Sequence, residues 1–491
     1  MLWVCRLLLR LNFRQTPAKR IPNDSMLFNS NDFLIFFALL LGAYFVAQGS
    51  LFLRNLVVVV GGYVFYSWWD YRFCGLLLFT SLLDFTVGWL IGSATTERRK
   101  RGLLATSIVL NLGVLGFFKY FNFFRESLEV LLSQLGISAH WTGWEVLLPV
   151  GISFYTFQSM SYVIDVYRRE IPASHDLLGF LGYVSFFPHL VAGPIQRGTT
   201  LLPQFGRTLA ITASDLELGV WLTVWGMFKK VVIADNLSPL VNLAYQHPDP
   251  SGSIIFFGTV AFAFQIYCDF SGYSDIATGI SRLIGFKLTL NFNLPYCATS
   301  LREFWRRWHI SLSTWLRDYL YIPLGGNRKA GARVYLNLGI TMLLGGLWHG
   351  ASLTFVLWGA WHGLGLIANR WWDEHRSFGG ALPAWLGWLV TQAFVLYGWL
   401  LFRATSLDQV LQFTSALANF SVPLWWRPFL GNLVVLTVPL LAVQVWQWRS
   451  GDLIVPLRLP IWPKAVLQAL LLAGIIAFWQ PDPSPFIYFQ F

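Results

Sequence analysis

The chain has 491 residues, of which 55% are hydrophobic and 12% are charged. Because soluble domains carry roughly 25% charged residues, this composition excludes an ordinary soluble protein and predicts a polytopic membrane protein. The net charge of +11 is assigned to cytoplasmic loops and anionic headgroups rather than to nucleic-acid binding. No long polar stretch marks a soluble domain, so residues 26–491 are predicted to form one integral-membrane domain.

The first 25 residues differ from the rest of the chain. Arg6, Arg10 and Arg14 are spaced at i, i+4 and i+8, which places them on one face of a helix. This spacing predicts a basic amphipathic helix on the cytoplasmic leaflet. Two alternatives stay open: a targeting segment, although no small-residue cleavage site follows, and an extension upstream of a natural start at Met26.

Apolar runs that approach the length of a bilayer crossing recur from residue 33 onward, and they predict an all-α protein with about 10–13 transmembrane helices plus re-entrant or interfacial helices. The run 254–285 is longer than one crossing, so we expect it to bend or to contain two pieces. The runs are 33–53, 55–69, 75–95, 102–122, 146–166, 177–194, 216–235, 254–285, 334–347, 350–369, 384–402, 431–447 and 465–480.

Loop charge gives the predicted orientation of the first crossings. The loop 97–101 has one acidic and four basic residues, a net charge of +3, and is predicted to be cytoplasmic. Arg168 and Arg169 follow two crossings later, on the same predicted side.

A polar cluster interrupts the apolar run 254–285. Asp269 and Asp275 lie six residues apart there, and carboxylates in such surroundings are costly unless they are paired. We expect them either to orient a histidine or neutralise an arginine, or to form a buried polar contact between helices.

The stretch 300–318 is charged and rich in tryptophan. If it is one helix, Arg302, Arg306, His309 and Ser313 share a face, while Arg307 lies four residues after Glu303 and can pair with it. Such a charged helix cannot cross lipid alone, and one possibility is that it lines a buried funnel. The alternative is an interfacial helix whose arginines bind headgroups.

His349 follows forty residues after His309 and lies between Gly346 and Gly350. A neutral imidazole can accept a proton from a hydroxyl and return it near pH 7, so the two histidines suggest proton-transfer chemistry within the bilayer. The alternative for His349 is a structural hydrogen bond between helices. His362, 13 residues further on, falls about 220° around a continuous helix and is predicted to be structural or to line a different part of a cavity.

The four cysteines give no sign of a metal site or of a disulfide framework. Cys5, Cys74, Cys268 and Cys297 form neither a CxxC motif nor a Cys/His cluster at zinc spacing. We expect them to act as small hydrophobic side chains.

Four ordered motifs resemble those of the membrane-bound O-acyltransferase family, in the branch of the alginate O-acetyltransferase membrane subunit. They are residues 186–195, 267–277, 302–323 and 345–364. The resemblance covers roughly 26–405, and 26–30 is similar to the family's usual start. It implies a ring of tilted helices around a central funnel, with His349 as the catalytic histidine and His309 as the second polar position.

The resemblance also implies a direction of transfer. The acyl donor approaches from the cytoplasm and the acceptor from the opposite side, and a separate exported or membrane-anchored acyltransferase often completes the transfer. The D-alanyl transferase of teichoic acids is similar to this branch and has the same histidine pair.

From these features we expect acetyl transfer from a cytoplasmic thioester, acetyl-CoA, to a hydroxyl of an extracytoplasmic polysaccharide, directly or through a partner acyltransferase. No permanently bound cofactor and no metal are expected, and the location is a bacterial plasma membrane. The alternatives are D-alanyl or other acyl transfer from a carrier protein, and a transporter subunit that makes no bonds.

Particular roles follow for the site residues. His349 is expected to be the general base, and His309 to polarise the thioester carbonyl or stabilise the oxyanion; a covalent acyl-histidine stays open. Arg306 and Arg307 are expected to bind donor phosphates. The residues expected to orient the histidines are Asp318, Asp269 and Asp275.

Overall fold

The computed structural model describes residues 26–137, 145–247, 249–328, 331–375, 382–422, 426–480 and 484–489. The predicted basic extension, residues 1–25, lies outside the described residues. All the regular secondary structure in the described ranges is helical, which confirms the predicted all-α class.

The helices of the amino-terminal half are α1 (Asn31–Ala47), α2 (Leu51–Asp70), α3 (Cys74–Ser93), α4 (Glu97–Gln134), α5 (Ile152–Arg168), α6 (Leu177–Ser185), α7 (Phe187–Leu190), α8 (Gly198–Phe205), α9 (Ala213–Met227) and α10 (Asp235–Tyr245). The remaining α-helices are α11 (Gly252–Leu283), α12 (Leu301–Arg307), α13 (Ile310–Leu316), α14 (Ala332–His349), α15 (Leu353–Glu374), α16 (Ala384–Arg403), α17 (Leu407–Ala416), α18 (Trp426–Ser450) and α19 (Ile461–Ala477). Phe228–Ala234 and Arg317–Tyr321 are π-helical, and the 3₁₀ turns are Tyr71–Phe73, Pro295–Cys297, Val455–Arg458 and Ile487–Phe489.

Within the described ranges, five segments have both the length and the apolar composition of a membrane crossing, and α1 and α19 are apolar but shorter. Each predicted run overlaps at least one helix, but the predicted 10–13 crossings exceed the number of such segments. Many of the runs form helices that are too short or too polar to cross lipid alone and that pack within the protein. The five segments are Leu51–Ser93, Glu97–Gln134, Gly252–Leu283, Ala384–Arg403 and Trp426–Ser450.

Helix α11 is the central element of the fold. It is one continuous helix of 32 residues, so the run does not contain two separate pieces, which was one of the two expectations. Of its most apolar window, 78% is buried, against 17% for α4, which indicates that protein surrounds α11 while α4 faces lipid. Small residues allow this close packing: a Cβ at Gly226 of α9 would lie 2.6 Å from the carbonyl oxygen of Gly272 in α11.

The stretch 300–318 is not one helix, and this corrects the predicted shared face. Helix α12 ends at Arg307, Trp308 is extended, and His309 takes a left-handed conformation with φ 42° before α13 begins. Backbone of the segment 291–293 makes the hydrogen bonds that would otherwise continue the helix. Asn293 N donates to Arg307 O (2.9 Å), and Ile310 N donates to Asn291 O (2.9 Å).

Candidate active site

His309 lies at the break between α12 and α13 and is 1% exposed. Its left-handed backbone is uncommon for a residue with a side chain, and such strained positions are frequent at functional sites. The break turns its ring into the interior, where it packs against the ring of Phe270 (centroids 4.6 Å apart).

One hydrogen-bond network fixes the orientation of the His309 ring. Asn291 Nδ2 donates to Ser274 Oγ (3.0 Å), so Asn291 Oδ1 faces the histidine and accepts from Ser311 Oγ (2.9 Å). His309 Nδ1 lies 3.1 Å from the same Oδ1. Because that oxygen can only accept, Nδ1 carries the proton and Nε2 keeps a lone pair. Among the described residues, Nε2 has no hydrogen-bond partner.

His349 is the last residue of α14 and is 8% exposed. A helix leaves its final carbonyls without intrahelical partners, and here α4 supplies donors for two of them. Tyr120 Oη donates to Leu347 O (2.6 Å), and Lys119 Nζ donates to Trp348 O. Two neighbouring residues of one helix therefore fix the end of α14 that carries His349.

Two aromatic side chains, Trp348 and Tyr488, pack against both histidines. The ring of Trp348 lies 6.1 Å from that of His309 and 5.1 Å from that of His349. Tyr488 also contacts both rings, at 6.5 Å from His309 and 5.5 Å from His349. The structure thus brings together the two histidines that the sequence singled out, in surroundings from which aromatic side chains exclude water.

Burial sets the protonation state of this pair, which lies outside the five crossing segments. It lowers the pKa of His309 to about 3. Burial also lowers the pKa of His349 well below its ordinary value, and the nearby His309 and Lys119 add to this effect. Both imidazoles are neutral at pH 7, so each has a nitrogen able to accept a proton.

The two arginines proposed for donor binding lie apart from this pair. Arg307 donates to Glu303 Oε1 (2.8 Å), which confirms the predicted i, i+4 ion pair, and also to Asn293 O (3.1 Å). Arg306 is exposed. Across the ranges that the structure describes, neither arginine makes a recorded contact with His309 or His349.

The three carboxylates bind cations and do not contact the histidines, so the predicted orienting role is not supported by any contact in the described ranges. Asp275 pairs with Lys229 (2.7 Å) and Asp269 with Lys230 (2.8 Å). Asp318 pairs with Arg197 (3.2 Å) and Arg317 (2.7 Å). For Asp269 and Asp275, the open alternative of a buried contact between helices matches this geometry.

Asp318 belongs to a separate charged cavity of about 610 Å³. The guanidinium of Arg197 lies over the ring of Tyr319 (4.3 Å), and Arg168 Nη2 donates to Asp318 O (3.0 Å). The other side chains at its wall include Asp165, Glu170, Thr199 and Arg328. Since Arg168 belongs to the predicted cytoplasmic side, the cavity is expected to open there.

A row of aromatic rings connects this cavity to the histidines. The ring of Tyr319 packs against that of Trp315 (5.1 Å), which stacks on Phe157 (3.9 Å). Phe157 in turn contacts Trp348 (5.7 Å). The cavity and the histidine pair are thus two ends of one continuous packed region.

His362 is buried and packs against Trp358 (centroids 4.7 Å apart). The helical-wheel argument that separated it from His349 does not apply, because α14 ends at His349 and a new helix begins at Leu353. Trp358 also contacts His349 (4.9 Å) and therefore lies between the two histidines. The structural role of His362 stays a prediction.

Several residues at the site were missed by the sequence reasoning. Asn291, Lys119 and Tyr120 carry no motif, and their roles depend on partners far along the chain. Tyr488 lies in a part of the sequence that gave little signal. A lysine pair in an apolar segment, Lys229–Lys230, could have drawn attention as the partner of Asp269 and Asp275.

Comparisons with known proteins agree with the resemblance. The model of the membrane-bound O-acyltransferase family matches residues 103–407. The probable alginate O-acetylase AlgI of Azotobacter vinelandii is 44% identical over 398 residues, covering 80% of this chain and 78% of that protein. The peptidoglycan O-acetyltransferase of Helicobacter pylori is 35% identical over 397 residues, 74% of each chain. The teichoic acid D-alanyltransferase of Bacillus subtilis is 30% identical over 219 residues, 41% of this chain and 54% of that one.

Proposed function

Because this chain belongs to the membrane-bound O-acyltransferase family and is therefore a multi-pass membrane acyltransferase, we propose that it takes an acetyl group from cytoplasmic acetyl-CoA and serves the O-acetylation of an extracytoplasmic polysaccharide. The proposal rests on the observation that His309 and His349 pack against the same two aromatic rings, those of Trp348 and Tyr488. The activities after which the relatives are named, O-acetylation of alginate and of peptidoglycan, support an acetyl group as the acyl group and a glycan as its destination.

In the proposed reaction His349 accepts the proton of the attacking hydroxyl. The hydroxyl oxygen forms a bond to the thioester carbonyl carbon, the carbon–sulfur bond breaks, and the thiolate takes up a proton as it leaves. The orientation of Asn291 supports a different role for His309 from the one expected. With its proton on Nδ1, the free Nε2 is a hydrogen-bond acceptor that can orient a hydroxyl, and it is not a donor to an oxyanion.

The charged cavity is the proposed entrance for the donor. Arginine forks suit phosphate groups, and Arg168, Arg197 and Arg328 line this cavity, whereas Arg306 and Arg307 are not among its lining residues. The thioester arm would then extend along the aromatic row toward His309. We therefore place phosphate recognition at these three arginines and not at Arg306 and Arg307.

The acceptor is the hydroxyl of a cell-envelope glycan, or that of an exported or membrane-anchored partner acyltransferase which passes the acetyl group on. The membrane is the plasma membrane of a bacterium, since the donor is cytoplasmic and the polymer lies outside. D-alanyl transfer from a carrier protein is the second candidate, and the likeness to a teichoic acid D-alanyltransferase favours it.

Inverted membrane vesicles give the test of the proposed function. Vesicles that contain the chain, the polymer and its partner acyltransferase are given labelled acetyl-CoA on the outer, cytoplasmic face. We expect labelled acetyl ester on the polymer inside, and no label from a D-alanyl carrier protein. If the polymer is labelled only when the D-alanyl carrier protein is the donor, the D-alanyl alternative is established. If neither thioester is consumed, the proposal is overturned and a transporter without acyltransferase activity is the remaining candidate.

The entrance is tested with Arg197→Gln. Losing one charged hydrogen bond to a phosphate costs about 1.5–3 kcal/mol, so we expect the KM for acetyl-CoA to rise roughly 10-fold or more with little change in kcat. A short acetyl thioester without phosphates should be used equally by both proteins. Arg306→Gln is the matched control, and an equal rise in its KM would contradict this placement.

A further inference from the structure

A buried carboxylate, that of Asp84, lies between α3, α4 and α5 with no basic side chain beside it. Asp84 is 0% exposed and falls inside the crossing segment Leu51–Ser93. In the part of the chain that the structure describes, its hydrogen-bond partners are all neutral side chains, whereas Asp269 and Asp275 each bind a lysine. A negative charge at this depth is costly unless it is compensated.

Three neutral side chains bind the carboxylate of Asp84. Ser107 Oγ donates to Asp84 Oδ1 (2.7 Å), and Asn111 Nδ2 donates to both Oδ1 (2.9 Å) and Oδ2 (3.1 Å). Ser159 of α5 also forms a hydrogen bond with this carboxylate. Both carboxylate oxygens therefore accept hydrogen bonds. This is the pattern of an ionised group, since a protonated carboxyl donates from one of its oxygens.

Two further oxygens in this three-helix contact lack hydrogen-bond partners among the described residues. They are Asn111 Oδ1 and Thr156 Oγ1, and both residues are 0% exposed. Asn111 Oδ1 belongs to the amide that contacts Asp84, and Thr156 lies one turn before Ser159 on α5. A buried polar atom without a partner is costly and calls for an explanation. A bound cation would satisfy these oxygens and the charge of Asp84 together.

We propose that Asp84 is the anionic ligand of a sodium ion held between α3, α4 and α5. Rotation of the Asn111 amide presents Oδ1 to the ion in place of Nδ2. The remaining ligands are hydroxyl oxygens, those of Ser107, Ser159 and Thr156. The site goes beyond the proposed function, since it does not depend on which acyl group the protein transfers.

The chemistry of these side chains selects among cations. Hard cations take oxygen ligands, and all five side chains offer an oxygen. No group of three or more His, Cys, Asp and Glu side chains that could hold a metal ion occurs in the described ranges. With one carboxylate, a monovalent ion gives a neutral site, whereas a divalent ion would leave a positive charge in the membrane interior. The short contacts around the carboxylate, 2.7–3.1 Å, favour Na⁺ over the larger K⁺.

The ion would link two membrane-spanning helices to a helix of the active site. Helix α5 carries Phe157 of the aromatic row, whose carbonyl oxygen accepts a hydrogen bond from Trp315 Nε1 (3.0 Å). Helix α4 carries Tyr120 and Lys119, which bind the end of α14. Because an ion that binds the folded protein alone stabilises it, sodium should strengthen the contact between α3, α4 and α5.

Binding of radioactive Na⁺ to the purified full-length chain in lipid nanodiscs tests the site directly. We expect one saturable site per chain, from which unlabelled NaCl displaces the label and an equal concentration of KCl does not. Asp84→Asn keeps the shape of the side chain and removes its charge, so it should abolish binding. Asp215→Asn is the matched control, because the carboxylate of Asp215 is already paired with Arg282 (2.8 Å), and it should keep the site.

Melting temperatures give a second readout in which each protein is compared with itself. The wild type should melt about 2 °C or more higher in NaCl than in KCl or choline chloride of equal ionic strength. Asp84→Asn should melt at the same temperature in all of these salts. Asp215→Asn should keep the wild-type difference between salts, even if its melting temperature is lower throughout.

Three results would overturn the proposal. Absence of saturable Na⁺ binding to the wild type would leave Asp84 as a protonated carboxyl in a structural contact. Displacement of the label by KCl as readily as by NaCl would contradict a sodium site. Binding that persists in Asp84→Asn would show that sodium binds elsewhere on the protein.

Discussion

Replacing His349 with alanine should lower acetyl transfer about 10²–10⁴-fold, the usual contribution of a general acid–base group. The fold should survive, because His349 ends α14 and the carbonyls before it stay bound to Tyr120 and Lys119. The measurement is ester formation on the glycan in cells, with membrane levels of the variants matched by immunoblot.

The matched control is His362→Leu. His362 is as buried as His309, at 1% exposed, and packs against the same Trp358 that contacts His349. If only His309 and His349, the two histidines that pack against Trp348, act in transfer, the His362→Leu variant should keep nearly full activity. Activity retained by His349→Ala, or lost equally in His362→Leu, would remove His349 from its assigned role.

Lys230→Met should have the largest effect on stability. Lys230 binds Asp235 and Asp269, each at 2.8 Å, and both carboxylates are buried. Removing one partner of a buried ion pair usually costs about 3–5 kcal/mol because a charge is left without compensation. We expect a clear fall in melting temperature in detergent.

Two further variants distinguish the effect of breaking a buried ion pair from the effect of removing a positive charge anywhere on the protein. Arg169→Met removes an exposed ion pair with Glu97 (3.2 Å) and should change stability by less than about 1 kcal/mol. Lys230→Met combined with Asp235→Asn and Asp269→Asn removes the stranded charges and should recover part of the loss. A melting temperature for Lys230→Met equal to that of Arg169→Met would contradict the argument.

Local sequence patterns determined much of this protein. Apolar runs predicted the helices because a helix that is buried in lipid or in protein is made of hydrophobic residues, whichever elements pack against it. The i, i+4 pair Glu303–Arg307 formed as expected since it depends on helix geometry alone. The rarity of ionisable groups in an apolar chain singled out His309 and His349, and the motifs around them indicated the family that the comparisons confirm.

Tertiary structure decided two features that local sequence patterns do not predict: the break in the stretch 300–318 and the burial of apolar helices within the protein. The helix 300–318 breaks because backbone of residues 291–293 makes its hydrogen bonds, and that break is what turns His309 inward. Fewer segments than predicted have both the length and the apolar composition of a crossing in the described ranges. A composition suited to lipid is equally suited to the interior of a protein, as the burial of α11 shows.

Partners distant in sequence were also beyond the reach of pattern reasoning. Asp269 is bound by Lys230 and by the backbone of Ile487, which lies 218 residues away. Such pairings are set by how the helices pack, not by spacing along the chain. The sequence by itself therefore determined the membrane class and the family, and it singled out His309 and His349 as the candidate site residues. Only the fold decided which charges pair, how His309 is oriented, and that Tyr488 joins the site.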